Sequence, residues 1–568
     1  MLHLQTRAGR RARRFPKLAF FAAAVFDSFP FRPHAANSLI NMPTPPQDPN
    51  PSPSSPTGTW VLVAMAFFLI SLSFLIASRR NAVDIDLFHE MCLARQFAEE
   101  GKFPQTDAFA YTPTVDRVVH HEWGTGAIAY AVIEQLGFKS PGLMGLKYLL
   151  VALICGFCCL SAKLRGATWP LIVPGFALAT IIGGQIGYTT IRAQLFTMLF
   201  LAIQFCLLAL DRQGKKWWII PWLILVVVWA NVHAGIVAGL GIFCFYVLFR
   251  YVEPFLRKPD TATLKNDRSN HFLIAVAIAS MLLLLVNPYG TNYPFYLWYG
   301  TTLDRPLINE WKPLLATIND PGFLTLIGVS LLLALVGFKD SWRERPFEVF
   351  VVLLTAYLAF KHVRHLSIYA VTWACVVPPG LMRNSMGSEL ARNAKRLAMP
   401  LGIFALAAGI YCMANAWNAR FWEMQVPAFT EEEEPSGMLY PVGAVDFLKE
   451  IEFEGNLMTP FSMGAFVSWN LYPNVKVSID SRYEVAYPPG SIEASFDFYD
   501  AKDGWQKSLE SDKTDAVLVP NFKAVREQLD SLEGWHLLYS DKMFSIFTKQ
   551  PITGEPVTVE SIEFDWEF

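Results

Sequence analysis

Residues 60–90 read WVLVAMAFFLISLSFLIASRRNAVDIDLFHE. An apolar run at 60–76, close to the length a bilayer crossing needs, ends at Arg79-Arg80 and gives way to Asp84-Ile85-Asp86-Leu87-Phe88-His89-Glu90. Ten further apolar runs follow, at 142–160, 169–186, 195–210, 218–232, 235–249, 272–286, 323–336, 347–360, 366–377 and 399–413. Backbone groups in lipid must bond within their own segment, so the runs are expected to be helices. A further stretch at 123–136 is apolar but short, and is expected to be only partly inserted.

Composition agrees. Of 568 residues, 53% are hydrophobic and 17% charged, with 44 Phe and 17 Trp and a mean hydropathy of +0.30. Soluble domains carry about 25% charged residues, so an ordinary soluble enzyme, a disordered chain and a collagen are excluded. The net charge of −2 hides an asymmetry: residues 420–568 hold 11 basic and 27 acidic side chains, and the rest of the chain is correspondingly basic. A basic apolar body and an acidic water-soluble one share the chain. The expected organisation is a basic, Pro/Ser-rich N-terminus without a core (1–58), a membrane domain (59–418) with a long first outer loop (79–122), an acidic linker (419–435), an α/β domain (436–550) and a tail (551–568). Arg7, Arg10, Arg11, Arg13 and Arg14 ahead of a short apolar run imitate a signal peptide, and Met42 offers an alternative start. Cys155-x-x-Cys158-Cys159 has a metal-like spacing but lies in an apolar helix with no His or acid nearby, and reads as packing.

Every second loop is basic: Lys163 and Arg165; Arg212, Lys215 and Lys216; then the stretches 250–268, 339–345 and 383–396. Positive loops stay in the cytoplasm. Eleven spans with an inner N-terminus then put the acidic domain outside, together with the unusual polar residues. These are Asp84, Asp86, His89, Asp107, His120, His121 and Glu122 in the first outer loop; Arg192 and Gln194 at the start of the fourth span; Asn231 and His233 at the end of the fifth; Glu310-Trp311 beyond the seventh; and Lys361, His362, Arg364 and His365 between the ninth and tenth. Alone, an Asp-x-Asp beside a helix is most often a solvated helix end, Asn231 and His233 suit interhelical hydrogen bonding, and Arg364 suits an interfacial anchor. Ionisable groups near membrane depth are costly and mark function. Carboxylates suit a general base or a divalent metal, and Arg, Lys and His suit a phosphate. Together they describe a site for an anionic, lipid-linked substrate.

In the C-terminal part, strands are expected at 457–459, 475–479, 516–519 and 536–539, with 543–548 pairing to the last, and helices at 443–451, 464–471 and 522–532. Asp480-Ser481-Arg482 follows a strand, where α/β sites commonly lie. It serves acceptor binding or an ion pair that shapes the loop. No Gly-rich phosphate loop, zinc spacing or nucleic-acid motif stands out.

Several segments, in order, carry a resemblance: Asp84-x-Asp86-x-x-His89; Phe103-Pro104-x-x-Asp107-x-Phe109-x-Tyr111-Thr112; His121-Glu122-Trp123; Arg192-x-Gln194-Leu195-Phe196-Thr197; Trp229-x-Asn231-x-His233-x-Gly235; Asn287-Pro288-Tyr289-Gly290; and Glu310-Trp311. The chain resembles the GT-C superfamily of membrane glycosyltransferases over roughly residues 60–550, near its dolichyl-phosphate-mannose mannosyltransferase-like and RgtA/B/C/D-like bacterial groups. Gly464-x-x-x-x-Trp469 and Ile479-Asp480-Ser481-Arg482 resemble the soluble domain that ends many such proteins. Related sequences often carry Gly-Gly where this chain has Ala234-Gly235.

The resemblance implies a polytopic α-helical membrane protein of about 11–13 membrane helices with a C-terminal soluble α/β domain. It implies an inverting transfer of sugar from a polyprenyl-phosphate carrier to a glycan, lipid or protein acceptor outside the cytoplasm, in a bacterial cytoplasmic membrane. The catalytic acids would be Asp84 or Asp86, with Asp107 as a second. His89, Glu122, Gln194, Asn231, His233, Glu310 and His365 would line the substrate, and Arg192, Arg364 and Lys361 would hold the lipid phosphate. Asp480 and Arg482 would touch the acceptor. Arg79, Arg80 or a divalent metal, Mg²⁺ or Mn²⁺ on Asp84 and Asp86, would balance the paired acids. Other readings are a transporter or lipid flippase, which the missing internal repeat disfavours, and an inactive cell-envelope scaffold.

Overall fold

The computed structural model describes residues 56–256, 270–424, 440–510, 513–550, 555–560 and 568. The N-terminal segment expected to lack a core, the centre of the basic stretch 250–268, the acidic run 431–434 and most of the tail lie outside the described residues. Helices occupy all eleven apolar runs. In chain order with the intervening elements they are α1 (Pro56–Ala77), α2 (Ile85–Glu100), α3 (Trp123–Tyr130), α4 (Lys139–Leu164), α5 (Trp169–Gly183), α6 (Gln194–Arg212), α7 (Ile219–Val232), α8 (Ile236–Leu256), α9 (His271–Leu283), α10 (Asn292–Thr302), α11 (Pro321–Phe338), α12 (Pro346–Lys361), α13 (Leu366–Arg383), α14 (Ser385–Arg396) and α15 (Ala398–Asn418). Among the described residues seven helices, α1, α4, α6, α8, α11, α15 and the stretch Val363–Arg383, are long and apolar enough to cross a membrane. α5, α7 and α9 are apolar but shorter. The chain is a polytopic helical membrane protein with a mixed C-terminal sheet.

The stretch 123–136 is eight residues of α-helix, α3, followed by a π-helical turn at Ala131–Gln135. At 1.5 Å per residue it cannot span. The first outer segment, expected as a loop, contains a full helix. Asp84 caps α2, accepting the Asp86 backbone N–H at 3.2 Å, and Gly101, at φ +69°, closes it with a bond to the Phe97 carbonyl. Residues 87–93 and Gln96 of this helix are buried, and of these Leu87, Phe88, Met91 and Cys92, in an i, i+1, i+4, i+5 pattern, form one apolar face.

That face packs on the C-terminal domain, whose helices α16 (Val442–Glu450) and α17 (Gly464–Leu471) flank a six-stranded sheet. The strands are β1 (Gly455–Met458), β2 (Val475–Val477), β3 (Ala516–Pro520), β4 (His536–Ser540), β5 (Phe544–Thr548) and β6 (Val557–Thr558), in the order β2-β1-β3-β5-β4-β6. β2, β1 and β3 run parallel, and β5 is antiparallel to β3 and β4. Phe88, fully buried, meets Tyr440 and Phe466 edge-on, each at 5.2 Å between centroids. Each such pair adds about 0.5–1.5 kcal/mol beyond area burial. Residues 109–112 extend the sheet beyond β2. The Tyr111 N–H donates to the Val477 carbonyl at 3.0 Å, and Val477 returns a bond to Phe109 at 3.0 Å. The first outer segment and the C-terminal sheet thus share one apolar core.

Candidate functional site

Lys147, alone in the middle of an apolar run, organises the approach to the site. It is fully buried in α4, and its ammonium donates to the carbonyls of Ala77 (2.8 Å), Arg80 (3.0 Å) and Thr189 (2.7 Å) and to Asn81 Oδ1 (2.8 Å). It joins the end of α1 to the segment before α6. Just beyond, Val83 and Ile191 form a parallel bridge, with the Asp84 N–H on the Ile191 carbonyl at 3.2 Å. Asp84 therefore stands beside Arg192.

Three acids gather on the Arg192 guanidinium: Asp84 at 3.5 Å, Asp86 at 3.9 Å and Glu310 at 2.6 Å. Asp84 is committed through both oxygens, one to the cap of α2 and one to Arg192. The Asp86 side chain stays 33% exposed and is held only through the longer contact. Burial pushes the Asp84 carboxyl up, and Arg192 offsets part of that. Burial, with Asp84 beside it, pushes Asp86 up to about 7. Burial also pushes Glu310 up, but Arg192 and Arg364 outweigh it and hold Glu310 below the usual carboxylate range.

The cation between the paired acids is thus Arg192. Arg79 and Arg80, expected to supply it, are exposed. Nor do the residues present fit a divalent metal on Asp84 and Asp86. The guanidinium occupies the place between the carboxylates, and among the described residues the one group of three donors close enough to share an ion is His89, Glu90 and His120.

Arg364 lies over the Trp311 indole at 4.7 Å and has no ion pair among the described residues. Gln194 holds its backbone, donating to the Arg364 carbonyl at 3.1 Å and to Ser367 Oγ at 2.7 Å. Arg305, which sequence reading passed over, also lies over Trp311, at 4.4 Å, and is committed to Glu484 by a bidentate pair. His362 Nδ1 donates to the Trp311 carbonyl at 2.5 Å, and His365 Nδ1 to the Leu358 carbonyl at 3.3 Å. Lys361 is exposed at the end of α12.

Glu122 is the centre of a second polar group. It takes His233 Nε2 at 3.2 Å and His121 Nε2 at 3.4 Å. Trp229 Nε1 can only donate, and gives its proton to Thr197 Oγ1 at 2.9 Å. The Thr197 hydroxyl then donates to His233 Nδ1 at 2.6 Å, which leaves the His233 proton on Nε2, facing Glu122. Burial pushes Glu122 up, but the two imidazoles outweigh it and hold it well below the carboxylate range. Gly235 permits this arrangement, since a Cβ there would stand 2.3 Å from Thr197 Oγ1. Asn231 accepts Trp123 Nε1 at 3.2 Å and donates to the carbonyls of Val227 and Val286, each at 2.8 Å. Trp123 and Asn231 border a shallow, open apolar groove with Ala127, Ile128, Val228 and Leu285.

Asp107, Asp480 and Arg482 stand apart from the Arg192 group. Arg482 has a fully buried side chain and pairs with both acids, with Asp480 at 2.7 Å. The second oxygen of Asp107 accepts the backbone N–H groups of Phe109 (3.1 Å) and Ala110 (2.7 Å). With every one of these groups internally bonded, the cluster pins the outer segment to the sheet. His89 lies between the two polar regions, 3.0 Å from Glu90 Oε1.

The chain matches no protein-family model and no curated protein sequence. It is similar in structure to the oligosaccharyltransferase of Archaeoglobus fulgidus in its apo form, with a TM-score of 0.53 and 9% identity over 82% of this chain and 70% of that one. It is similarly like the AglB oligosaccharyltransferase from Archaeoglobus fulgidus in complex with an inhibitory peptide and a dolichol-phosphate, with a TM-score of 0.51 and 10% identity over 82% of this chain and 69% of that one. The likeness is one of fold.

Proposed function

We propose that the chain is an integral membrane glycosyltransferase that moves a sugar from a polyprenyl-phosphate carrier to an acceptor outside the cytoplasm, in a bacterial cytoplasmic membrane, with the C-terminal domain on the outer face. The observation that carries the reading is the grouping, at the ends of the membrane helices, of Asp84, Asp86 and Glu310 on Arg192 beside Arg364, a guanidinium without an ion partner among the described residues. Acids and a free guanidinium side by side serve the two ends of such a transfer: the acceptor hydroxyl loses its proton, and the departing phosphate needs its charge held. The apolar groove below Trp123 and Asn231 suits the prenyl chain. The similar archaeal oligosaccharyltransferase complexed with dolichol-phosphate supports a lipid-phosphate carrier.

Asp86 takes the acceptor proton. It is the less committed of the paired acids and the one open to a substrate. Asp84 sets its position by capping α2 and orienting Arg192. Arg364 binds the leaving phosphate through two parallel N–H bonds, a geometry that Lys cannot supply. Gln194 positions it through the backbone, and Trp311 through its face. The sugar bond to phosphate breaks as the acceptor oxygen attacks, and the phosphate leaves onto Arg364.

The test is sugar transfer by purified protein from polyprenyl-phosphate donors. Asp86→Asn lowers turnover with donor binding kept, and Arg364→Lys weakens donor binding. An Asp84→Asn/Asp86→Asn variant at the wild-type rate overturns the mechanism. Donor movement between leaflets without transfer overturns the enzyme reading in favour of a flippase.

A further inference from the structure

His89, Glu90 and His120 take no part in the mechanism above, yet they form the most deeply buried polar group of the outer segment, with 6%, 2% and 1% of their surfaces exposed. One donor atom from each lies within 4.8 Å of the others. Three of their atoms have no partner: His89 Nδ1, Glu90 Oε2 and His120 Nδ1. The imidazole of His120 makes no hydrogen bond among the described residues, although it is nearly sealed from water, and its ring stands 6.4 Å from that of His89. Buried polar atoms are almost always bonded, and a group left so is usually completed by an ion or water. Here one donor atom from each residue converges, from α2 and from the segment just before α3. Gly126 of α3 packs so tightly on Glu90 that a Cβ would stand 2.3 Å from its carbonyl oxygen, so the backbone that carries this carboxylate is fixed against α3.

We propose that His89, Glu90 and His120 bind a divalent transition-metal ion of the zinc class. Two imidazole nitrogens and one carboxylate oxygen form a borderline donor set that suits Zn²⁺ over Mg²⁺ or Ca²⁺, which prefer oxygen alone. With three protein ligands the fourth position falls to water. The ion joins the helix that carries Asp86 to the residues that precede His121 and Glu122, and so sets the spacing between the two polar groups of the site. The ligands close to bonding distance around it, since the present separations are those of unliganded side chains.

Full-length protein purified without chelator and dialysed against Mg²⁺ should retain about one zinc per chain. Cobalt exchanged into the site should give visible d–d absorption of a nitrogen–oxygen complex. Both signals should be lost in Glu90→Gln and His120→Asn and kept in Asp84→Asn. Should either ligand variant fail to fold, the wild type still decides: a wild type with neither zinc nor cobalt bands overturns the proposal. Zinc that persists in folded Glu90→Gln and His120→Asn places the ion elsewhere and overturns it too. Because the readout is metal content, transfer activity can fail while this site stands, and the reverse.

Discussion

Replacing Arg192 with Gln removes the one cation that Asp84, Asp86 and Glu310 share. The three legs are unequal. The Asp84 side chain is 6% exposed and that of Arg192 16%, so this pair is a buried one. Removing one partner of such a pair costs about 3–5 kcal/mol, because the other charge is left alone. The Asp86 and Glu310 side chains are 33% and 30% exposed, and water screens them. Each adds roughly 0.2–1 kcal/mol. The variant should therefore lose about 3–7 kcal/mol of stability where the acids are ionised, at about pH 8 and above. The sign of the pH dependence follows from the same groups. Burial raises both carboxyls of the pair, Asp86 to about 7. A raised acid favours the folded state while protonated, and that contribution is lost as pH rises through its folded value. Without Arg192 both rise further, so the deficit of Arg192→Gln shrinks as pH falls from alkaline values toward about 7, and the Asp86 part of it is gone below that. Thermal unfolding in detergent across this range measures it directly and needs no substrate. A deficit that is flat with pH, or an unfolding temperature equal to that of the wild type at about pH 8, refutes the shared-cation account.

Lys147→Met removes the buried donor of the Ala77, Arg80 and Thr189 carbonyls, at roughly 1–3 kcal/mol for each acceptor left alone, while Asn81 Oδ1 keeps the Tyr148 hydroxyl at 2.7 Å. Folded yield and melting temperature should both drop, and unchanged values would show that the lysine does not join the end of α1 to the segment before α6. Gly126→Ala drives a methyl into the Glu90 backbone and should cost about 1–3 kcal/mol, read as a lower melting temperature. Arg482→Lys cannot reproduce the paired contacts with Asp107 and Asp480. It should speed proteolysis around residues 107–112 while donor binding persists, and lost donor binding would move these residues into the site. A reporter active only outside the cytoplasm, fused after Phe568, should be active, and activity of a cytoplasm-only reporter there would reverse the topology.

The membrane helices were legible because the apolar runs are long, and α17 lies at 464–471 as read. Five of the strands were legible as short runs between turn residues, while β6, two exposed residues in the stretch read as a tail, was not. α2 was hidden by its charge. Asp86, Glu90, Arg95 and Glu99 make the segment read as a solvated loop, although Leu87, Phe88, Met91 and Cys92 carry the helical period. Lys147 was masked in the opposite way, as one charge inside an apolar run, where it signals a buried hydrogen-bond centre. Arg192, Gln194, Glu310 and Arg364 were visible as polar residues at span ends. Their division of labour was not, because which guanidinium faces acids and which stays free depends on contacts between residues more than a hundred positions apart. The Arg305–Glu484 pair, between residues 179 positions apart, left no local signal at all.

The central claim is that the lipid phosphate of a sugar donor sits on Arg364, with the acceptor side at Asp86. A structure of the protein with a non-transferable polyprenyl-phosphate sugar bound tests it most directly. The account predicts the phosphate within hydrogen-bond distance of the Arg364 guanidinium, the prenyl chain in the groove below Trp123 and Asn231, and the sugar between that phosphate and Asp86. A phosphate held instead by Lys361 at the exposed end of α12, or by Arg482 in the sheet-side cluster, would contradict it.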